Sequence, residues 1–478
     1  MRAVRGFSFC SITALLLSLV LQTSGLRADD KPAKPAADRA DKAAAAEGTT
    51  VDPKSDEYFE LMKLFVDTFE QIERNYVKDV DRKQLMQAAI RGMVQQLDPY
   101  SNYISPDELK RFNQEVEQEF GGVGIQVQLD QKTRRLMVMT PLPGTPAYKV
   151  GVKSGDLIME VDGKSTEGVT LEDAVKLLQG KPGTDVSIGV QHTGSERIET
   201  LKITRAIIQV ATVLGDTHKA DDSWNFFLDA DSKIAYIRLT HFGRRSFDEL
   251  QETLELLTKE GMKGLILDLR FNPGGLLGQA TKIADQFLES GAIVSVKGRN
   301  AENRVWTAEK EGTFSGFPIV VLINRFSASA SEIVSAALQD HKRALIIGER
   351  SWGKGSVQNV IELDGGSSAL KLTTAQYLRP SGRNIHKFPG AKDDEEWGVT
   401  PEKENILDFT TKEIQDYMEY RRQRDIISNN GPPKSEFVDR QLNAAVTALK
   451  AQLTGEKKAE EKKPDDKKAD AEKKADAK

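Results

Sequence analysis

From Lys233 onward two hydrophobic rhythms alternate. The apolar runs KIAYIRL, KGLILDLR, PIVVLIN and RALIIGE are separated by SFDELQETLELLTKE, GQATKIADQFLES and SEIVSAALQD, in which apolar residues recur every three or four positions. Short runs rich in Ile, Val and Leu read as strands buried on both faces and the stretches between them as helices, so the pattern predicts a largely parallel sheet with helices against it. Two other textures come first. Between Ser55 and Phe120, Phe59, Met62, Phe65, Val66, Phe69 and Ile72 fall at helical spacing, which DPYSNYISPDEL breaks before it resumes; this predicts a small helical region. Between Phe120 and about Arg205, short alternating strands surround one helical stretch, LEDAVKLLQG, closed by Gly180 and Pro182.

The remaining segments bury little. At the start, Arg2 and Arg5 precede an apolar stretch from about Phe7 to Val20, followed by small or polar residues. That is the pattern of a secretory signal, with cleavage expected near Ala28; the apolar part is shorter than the ~20 residues of a spanning helix, and an uncleaved anchor is the alternative. Residues 29–51 are mostly Ala, Pro and charges and read as a disordered linker. The tail from Gly455 carries nine Lys against eight acids, a solvated polyampholyte. The expected organisation is therefore signal 1–28, linker 29–51, helical domain 52–118, a strand-rich module 119–205, the sheet core 206–405, a helical region 406–453 and a charged tail 454–478.

Charge and cysteine content narrow the chemistry. The 478 residues carry a net charge of −5, and removal of residues 1–28 with Arg2, Arg5 and Arg27 makes it −8. No basic stripe exists to neutralise phosphates, which argues against nucleic acid as a partner. The single cysteine, Cys10, lies inside the signal, so the mature chain is expected to have no disulfide, thiolate nucleophile or cysteine metal site. Neither HExxH nor a His/Asp cluster appears, so no metal is expected, and no cofactor is called for.

Phe120-Gly121-Gly122-Val123-Gly124-Ile125 reads as a glycine-rich loop leading into a strand. Such a loop can aim successive N–H groups at one point and hold a carboxylate, or it can be a plain hairpin turn. Downstream, PGTPA and GVKSGD are separated by a short helical segment and followed by LIMEV. Over about 85 residues this order resembles a PDZ domain of exported proteases. The resemblance implies that Gly121, Gly122, Val123, Gly124 and Ile125 bind the C-terminus of a peptide, which adds as a strand to the sheet edge.

In the sheet core PIVVLIN runs into RFSASASEIVSAALQD, which places Ser327, Ser329 and Ser331 at a strand-to-helix turn. A helix N-terminus there can stabilise an oxyanion beside a seryl nucleophile. Ser329 with Glu332 also satisfies an S-x-x-E capping box, a purely structural use. Twenty-five residues on, Lys354 stands between Gly353 and Gly355, and flanking glycines permit a close backbone approach. To act as a base its amine must be neutral, and a drop of about 3 units from ~10.4 requires a dry setting; a solvated surface lysine is the alternative. GERSWGK also matches the start of a phosphate-binding loop, but Gly355 replaces the Ser or Thr that loop needs, and VQNVIEL reads as strand where a helix is required. His192, His218, His241, His341 and His386 have no motif support as members of a Ser/His/Asp triad, and GxSxG is missing.

Taken together, LDPYSNYISPDEL, the PDZ-like block, GLILDLRFNPGGLL, VLINRFSASASEI, GKGSVQ and LTTAQYLRPSGRNIH resemble the carboxy-terminal processing peptidases, from about Tyr58 to Pro401. The resemblance implies an α/β multidomain protein: a ClpP/crotonase-like ββα catalytic core, a PDZ domain built as a small β-barrel or sandwich with two helices, and an N-terminal helical region. It implies Ser329 as nucleophile, Lys354 as general base and Gln358 as the residue that orients the amine. It implies an oxyanion hole from the N–H groups of Gly275 and Ala330. Expected substrates are proteins with apolar or poorly folded C-terminal tails, met in the periplasm or another extracytoplasmic space; an adaptor protein and a homo-oligomer are left open. Arg350-Ser351-Trp352 departs from the common family pattern, where smaller residues or a final Phe precede GKG. A PDZ-containing peptide-binding protein without activity is the alternative.

Overall fold

The computed structural model describes residues 53–117, 119–229, 231–299, 303–427, 431–432 and 434–455. The expected signal, linker and charged tail lie outside these residues, except for Thr454 and Gly455. Residues 110–358 and 374–455 form one compact unit, and residues 53–109 with 359–373 form another.

The larger unit is built on four parallel strands in the order β1 (Ile234–Leu239), β2 (Gly264–Asp268), β3 (Ile319–Ile323) and β4 (Ala344–Gly348). Every residue of β1, β2 and β3 is buried, which is why these strands read as unbroken apolar runs. On one face Leu250 and Leu254 of α1 (Ser246–Lys259), Ala280 and Ile283 of α2 (Leu277–Asp285) and Ile333 and Val334 of α3 (Ala330–Asp340) join the main core. The C-terminal region supplies α4 (Thr411–Asp425) and α5 (Arg440–Thr454). Leu442, Ala445 and Leu449 of α5 cover the opposite face, against Ile234, Tyr236, Ile266, Val320, Leu322 and Ile347. Without α5 those side chains would meet water, at a cost of about 1.5–3 kcal/mol for each large one.

A buried ionic cluster joins α5 to the end of β2. Arg270 donates to both oxygens of Asp268 and to both oxygens of Asp439, the residue that caps α5 through the N–H of Leu442. Tyr236 adds its hydroxyl to Asp268 at 2.7 Å. Charges this deep persist because each is paired.

In the strand-rich module the sheet order is Ile125–Leu129, Leu136–Pro141, Leu157–Val161, Asp185–Gln191 and Ile198–Thr204, all antiparallel. Leu136, Val138, Ile158, Ile188 and Val190 form its centre with Ala174 of the helix Leu171–Leu178. The helix stops at Leu178, just before Gly180 and Pro182, and Thr170 caps its start. One expectation needs correction. Phe120–Gly122 is not loop but part of a short strand, Glu119–Gly122, paired with Ala206–Gln209; only Val123 and Gly124 turn. The pairing partner lies some 85 residues away, beyond the reach of local turn statistics.

The smaller unit holds the helices Pro53–Asn75 and Arg82–Gln95, the second capped by Asp81, which accepts from the N–H groups of Lys83 and Gln84. Where the helical pattern breaks, Asp98 accepts from Tyr100 and Ser101 N–H in a turn. A strand, Asn102–Ile104, follows and pairs antiparallel with Ala369–Lys371. Three residues are too short for an alternation to announce a strand.

Candidate active site

Loops leaving the C-terminal ends of β2, β3 and β4 converge, the usual place for a site in an open parallel sheet. The β2 loop is organised by Asn272, which is wholly buried. Its side-chain nitrogen donates to Leu239 O at 2.7 Å, and its side-chain oxygen accepts from Gly274 N–H at 2.8 Å. Its own carbonyl accepts from Ala328 N–H at 3.0 Å and from the Ser331 hydroxyl at 2.9 Å, tying the NPGG turn to the serine turn.

This turn explains both glycines. Gly274 sits at φ +100, and a Cβ on it would lie 2.7 Å from Ala328 O, 2.9 Å from Ala330 N and 2.9 Å from Ser329 Cβ. Gly275, at φ +149, would place a Cβ 2.3 Å from Phe242 O. Phe242 N–H donates to Gly274 O and Leu276 N–H to Phe242 O, so the turn is stitched to the chain beyond β1. The structure thus packs Gly274 against Ser329 and Ala330, with Gly275 one residue on against Phe242.

Of the three serines in the second loop, two are spent on main-chain carbonyls: Ser327 donates to Leu269 O at 2.8 Å and Ser331 to Asn272 O. Ser329 lies between them at the head of α3, 2% exposed, with φ 55 and ψ −110. A positive φ is costly for a residue with a Cβ, and such strain tends to collect at functional turns.

The third loop brings Lys354 to the same place. Lys354 is only 1% exposed, so the dry setting expected for a neutral amine is present. Gly353 and Gly355 permit the approach of residues 386–387: a Cβ on Gly353 would lie 2.7 Å from Lys387 Cβ, and one on Gly355 would lie 2.3 Å from His386 N. After Lys354 the chain enters the strand Ser356–Leu363, not a helix, which rules out the phosphate-loop reading. Gln358 is buried on that strand and donates from Nε2 to the Ser356 hydroxyl at 2.9 Å.

One side chain touches both loops. Glu332 is fully buried, and its Oε2 accepts from Ser329 N–H at 2.7 Å and Lys354 N–H at 2.8 Å. Burial pushes its carboxyl above the usual carboxylate range, while the Ser351 hydroxyl and three N–H groups pull the other way. Glu332 and Asn272 are site residues that sequence reasoning did not place. The S-x-x-E spacing signalled half of the Glu332 role; nothing local signalled Asn272 beyond its place before Pro-Gly-Gly.

Of the histidines, His386 packs its main chain against Gly355 beside the lysine loop, and three others make contacts elsewhere. His192 pairs with Asp156 in the strand-rich module, His218 with Asp222 O, and His341 with Ala292 O. Burial holds the imidazole of His241 down at about 4, so it is neutral near pH 7. Among the described residues no group of three or more His, Cys, Asp or Glu could hold a metal ion, and no helix is long and apolar enough to cross a membrane.

Residues 233–401 match the model of peptidase family S41, residues 113–191 that of the PDZ domain, and residues 27–108 that of the N-terminal domain of the activating protease CtpB. The sheet core is thus that of a serine-type peptidase, and a PDZ domain precedes it. A carboxy-terminal-processing protease of Bartonella bacilliformis is 37% identical over 418 residues, spanning 86% of this chain and 92% of that protein. The carboxy-terminal processing protease CtpA of Bacillus subtilis is 39% identical over 321 residues, spanning 67% of this chain and 65% of that protein. A solved photosystem II D1 C-terminal processing protease is 30% identical, with a TM-score of 0.40 over 72% of this chain and 92% of that one. The chain belongs to the carboxy-terminal processing peptidases of family S41.

Proposed function

We propose that the protein is an exported endopeptidase with a Ser329/Lys354 dyad, which cuts protein substrates near their C-termini while its PDZ domain holds the substrate tail. The observation that carries this reading is that the main-chain N–H groups of Ser329 and Lys354, 25 residues apart in sequence, meet on a single carboxylate oxygen of Glu332 inside a buried site. Lys354 is 1% exposed, the dry setting that a lysine base requires. Ser329 attacks the scissile carbonyl carbon while Lys354 takes the hydroxyl proton; the lysine then delivers it to the leaving nitrogen, and water hydrolyses the acyl enzyme. The N–H groups of Gly275 and Ala330 hold the tetrahedral oxygen, and Gln358 orients the amine. The contact of Gly274 with Ser329 and Ala330 supports an oxyanion site at this turn.

In the PDZ domain, the carbonyls of Gly121, Val123 and Gly124 accept from the N–H groups of Gly180, Ala147 and Leu142, respectively. With its acceptors engaged inside the module, the Gly121–Ile125 segment is fitted to offer donors to a carboxylate. A cavity of 360 Å³ lined by Gln126 and Met139 of the module and by Thr240, Phe271, Met418 and Ile426 supports a path for the tail toward the catalytic turn. The reading keeps the module limits 52–118, 119–205, 206–405 and 406–453.

The test is turnover of an unfolded substrate with an apolar C-terminal tail. Wild type is expected to degrade it, and Ser329→Ala and Lys354→Ala to leave it intact. Degradation by either variant at the wild-type rate would refute the dyad. A wild type as inert as both variants would favour the binding-only alternative.

A further inference from the structure

Glu332 does more than cap a helix. A capping box requires only that its side chain accept from the N–H of Ser329. In the structure both oxygens are doubly engaged. Oε2 accepts from Ser329 and Lys354 N–H, and Oε1 accepts from the Ser351 hydroxyl at 2.5 Å and Gly353 N–H at 2.7 Å. Three of the four donors thus come from a loop 19 to 22 residues beyond Glu332 in sequence.

The contacts around this hub extend it. Ser351 Oγ accepts in turn from Val399 N–H at 2.7 Å, and Trp352 N–H donates to Ser327 O at 2.9 Å. Gly398, at φ +62, fits closely over the hub; a Cβ there would lie 2.8 Å from Ser351 Oγ. The head of α3, the lysine loop and the segment at Gly398–Val399 are therefore fastened through one side chain. Only an ionised carboxylate offers two acceptor-only oxygens for four donors; a glutamine would turn an NH₂ group toward two of them, and an aspartate would stop one methylene short.

We infer that Glu332 is a positioning residue of the peptidase, whose Oε2 sets the separation of the Ser329 and Lys354 main chains and whose Oε1 locks the lysine loop against α3. This rests on the reading of Ser329 as nucleophile and Lys354 as base. Proton transfer between a serine and an amine demands hydrogen-bond reach, and a displacement of about 1 Å costs on the order of 100-fold in rate. The four bonds of Glu332 all lie within the catalytic core and none reaches the PDZ domain, so peptide binding should survive its loss.

The experiment uses the full chain and a fluorogenic peptide with an apolar C-terminal tail, measured for Glu332→Gln, Ser329→Ala and wild type, with thermal melts of each. For Glu332→Gln, kcat is expected to fall about 100-fold, with KM within about threefold of wild type and a cooperative melt retained. A kcat within about threefold of wild type, or a rise in KM that accounts for the whole loss of kcat/KM, would overturn the inference. If Glu332→Gln does not fold, Ser351→Ala removes one donor from Oε1 and leaves both Oε2 bonds. It is expected to lower kcat by about tenfold at unchanged KM, and an unchanged kcat would overturn the inference. A dead Ser329→Ala beside a fully active Glu332→Gln defeats the hub alone. Activity in Ser329→Ala defeats the nucleophile assignment and the hub with it.

Discussion

The turn at Ser329 and the bend at Val123–Gly124, where the strand Glu119–Gly122 ends, are held by opposite means. At Ser329 a residue with a Cβ occupies a positive φ, and the turn is held by the buried Glu332 side chain, which accepts from Ser329 N–H, and by the Asn272 carbonyl, which accepts from Ala328 N–H and the Ser331 hydroxyl. Around Val123–Gly124 the flanking glycines let the backbone pack closely. A Cβ on Gly121 would lie 2.1 Å from Gly180 O, and one on Gly124, at φ +82, would lie 2.3 Å from Thr145 Cβ. The first turn is over-determined by polar contacts and tolerates strain. The second is shaped by close packing of backbone.

Substitutions that add or remove atoms at each turn separate the two modes. The largest effect is expected from Gly274→Ala, whose new Cβ would first meet Ala328 O, Ala330 N and Ser329 Cβ, all within 2.9 Å. Activity should fall by about 10²–10³, the scale of a lost oxyanion donor, while affinity for a tail peptide stays unchanged by calorimetry. Gly121→Ala should do the reverse. Calorimetry is expected to show tail-peptide affinity weakened by about tenfold or more, with kcat on a short untailed peptide kept.

Stability should divide in the same way between buried and exposed polar contacts. Asp439→Ala leaves Arg270 short of one of its two carboxylates in a dry setting, and denaturant titration should show a loss of about 3–5 kcal/mol. The smallest effect is expected at the capping box of α4. The Glu413 carboxyl is held down at about 2, from an ordinary value of 4.5, by Arg440 and then by the N–H of Thr410. A depressed carboxylate stabilises the fold above its unfolded value, and that contribution is lost as pH falls from 4.5 toward 2. Glu413→Gln should therefore be slightly less stable than wild type at neutral pH and converge with it in acid melts.

How much of this was legible follows from the distance over which each residue acts. The parallel sheet could be read because strands buried on both faces write themselves as apolar runs; the strand-to-helix turn at Ser329 and the glycines around Lys354 are local features too, but alone they fit a helix cap and a surface cation, and only the family resemblance joined them. Asn272 was not legible as a hub: its side chain reaches Leu239, 33 residues back, and its carbonyl meets Ala328 and Ser331, more than 50 residues ahead. Arg270 and Asp439 are 169 residues apart. Glu332 was half legible, since its bond to Ser329 follows from S-x-x-E while those to Ser351, Gly353 and Lys354 exist only after folding. The strand Glu119–Gly122 was missed because its glycines describe a turn and its partner lies far along the chain.

The central claim is that Ser329 is the nucleophile and Lys354 the group that activates it. Covalent capture with a fluorophosphonate, followed by peptide mass spectrometry, reads both at once. The account predicts one adduct on Ser329 in wild type, and labelling slowed by at least about 100-fold in Lys354→Ala. An adduct on another residue, or labelling of Lys354→Ala at the wild-type rate, would contradict it.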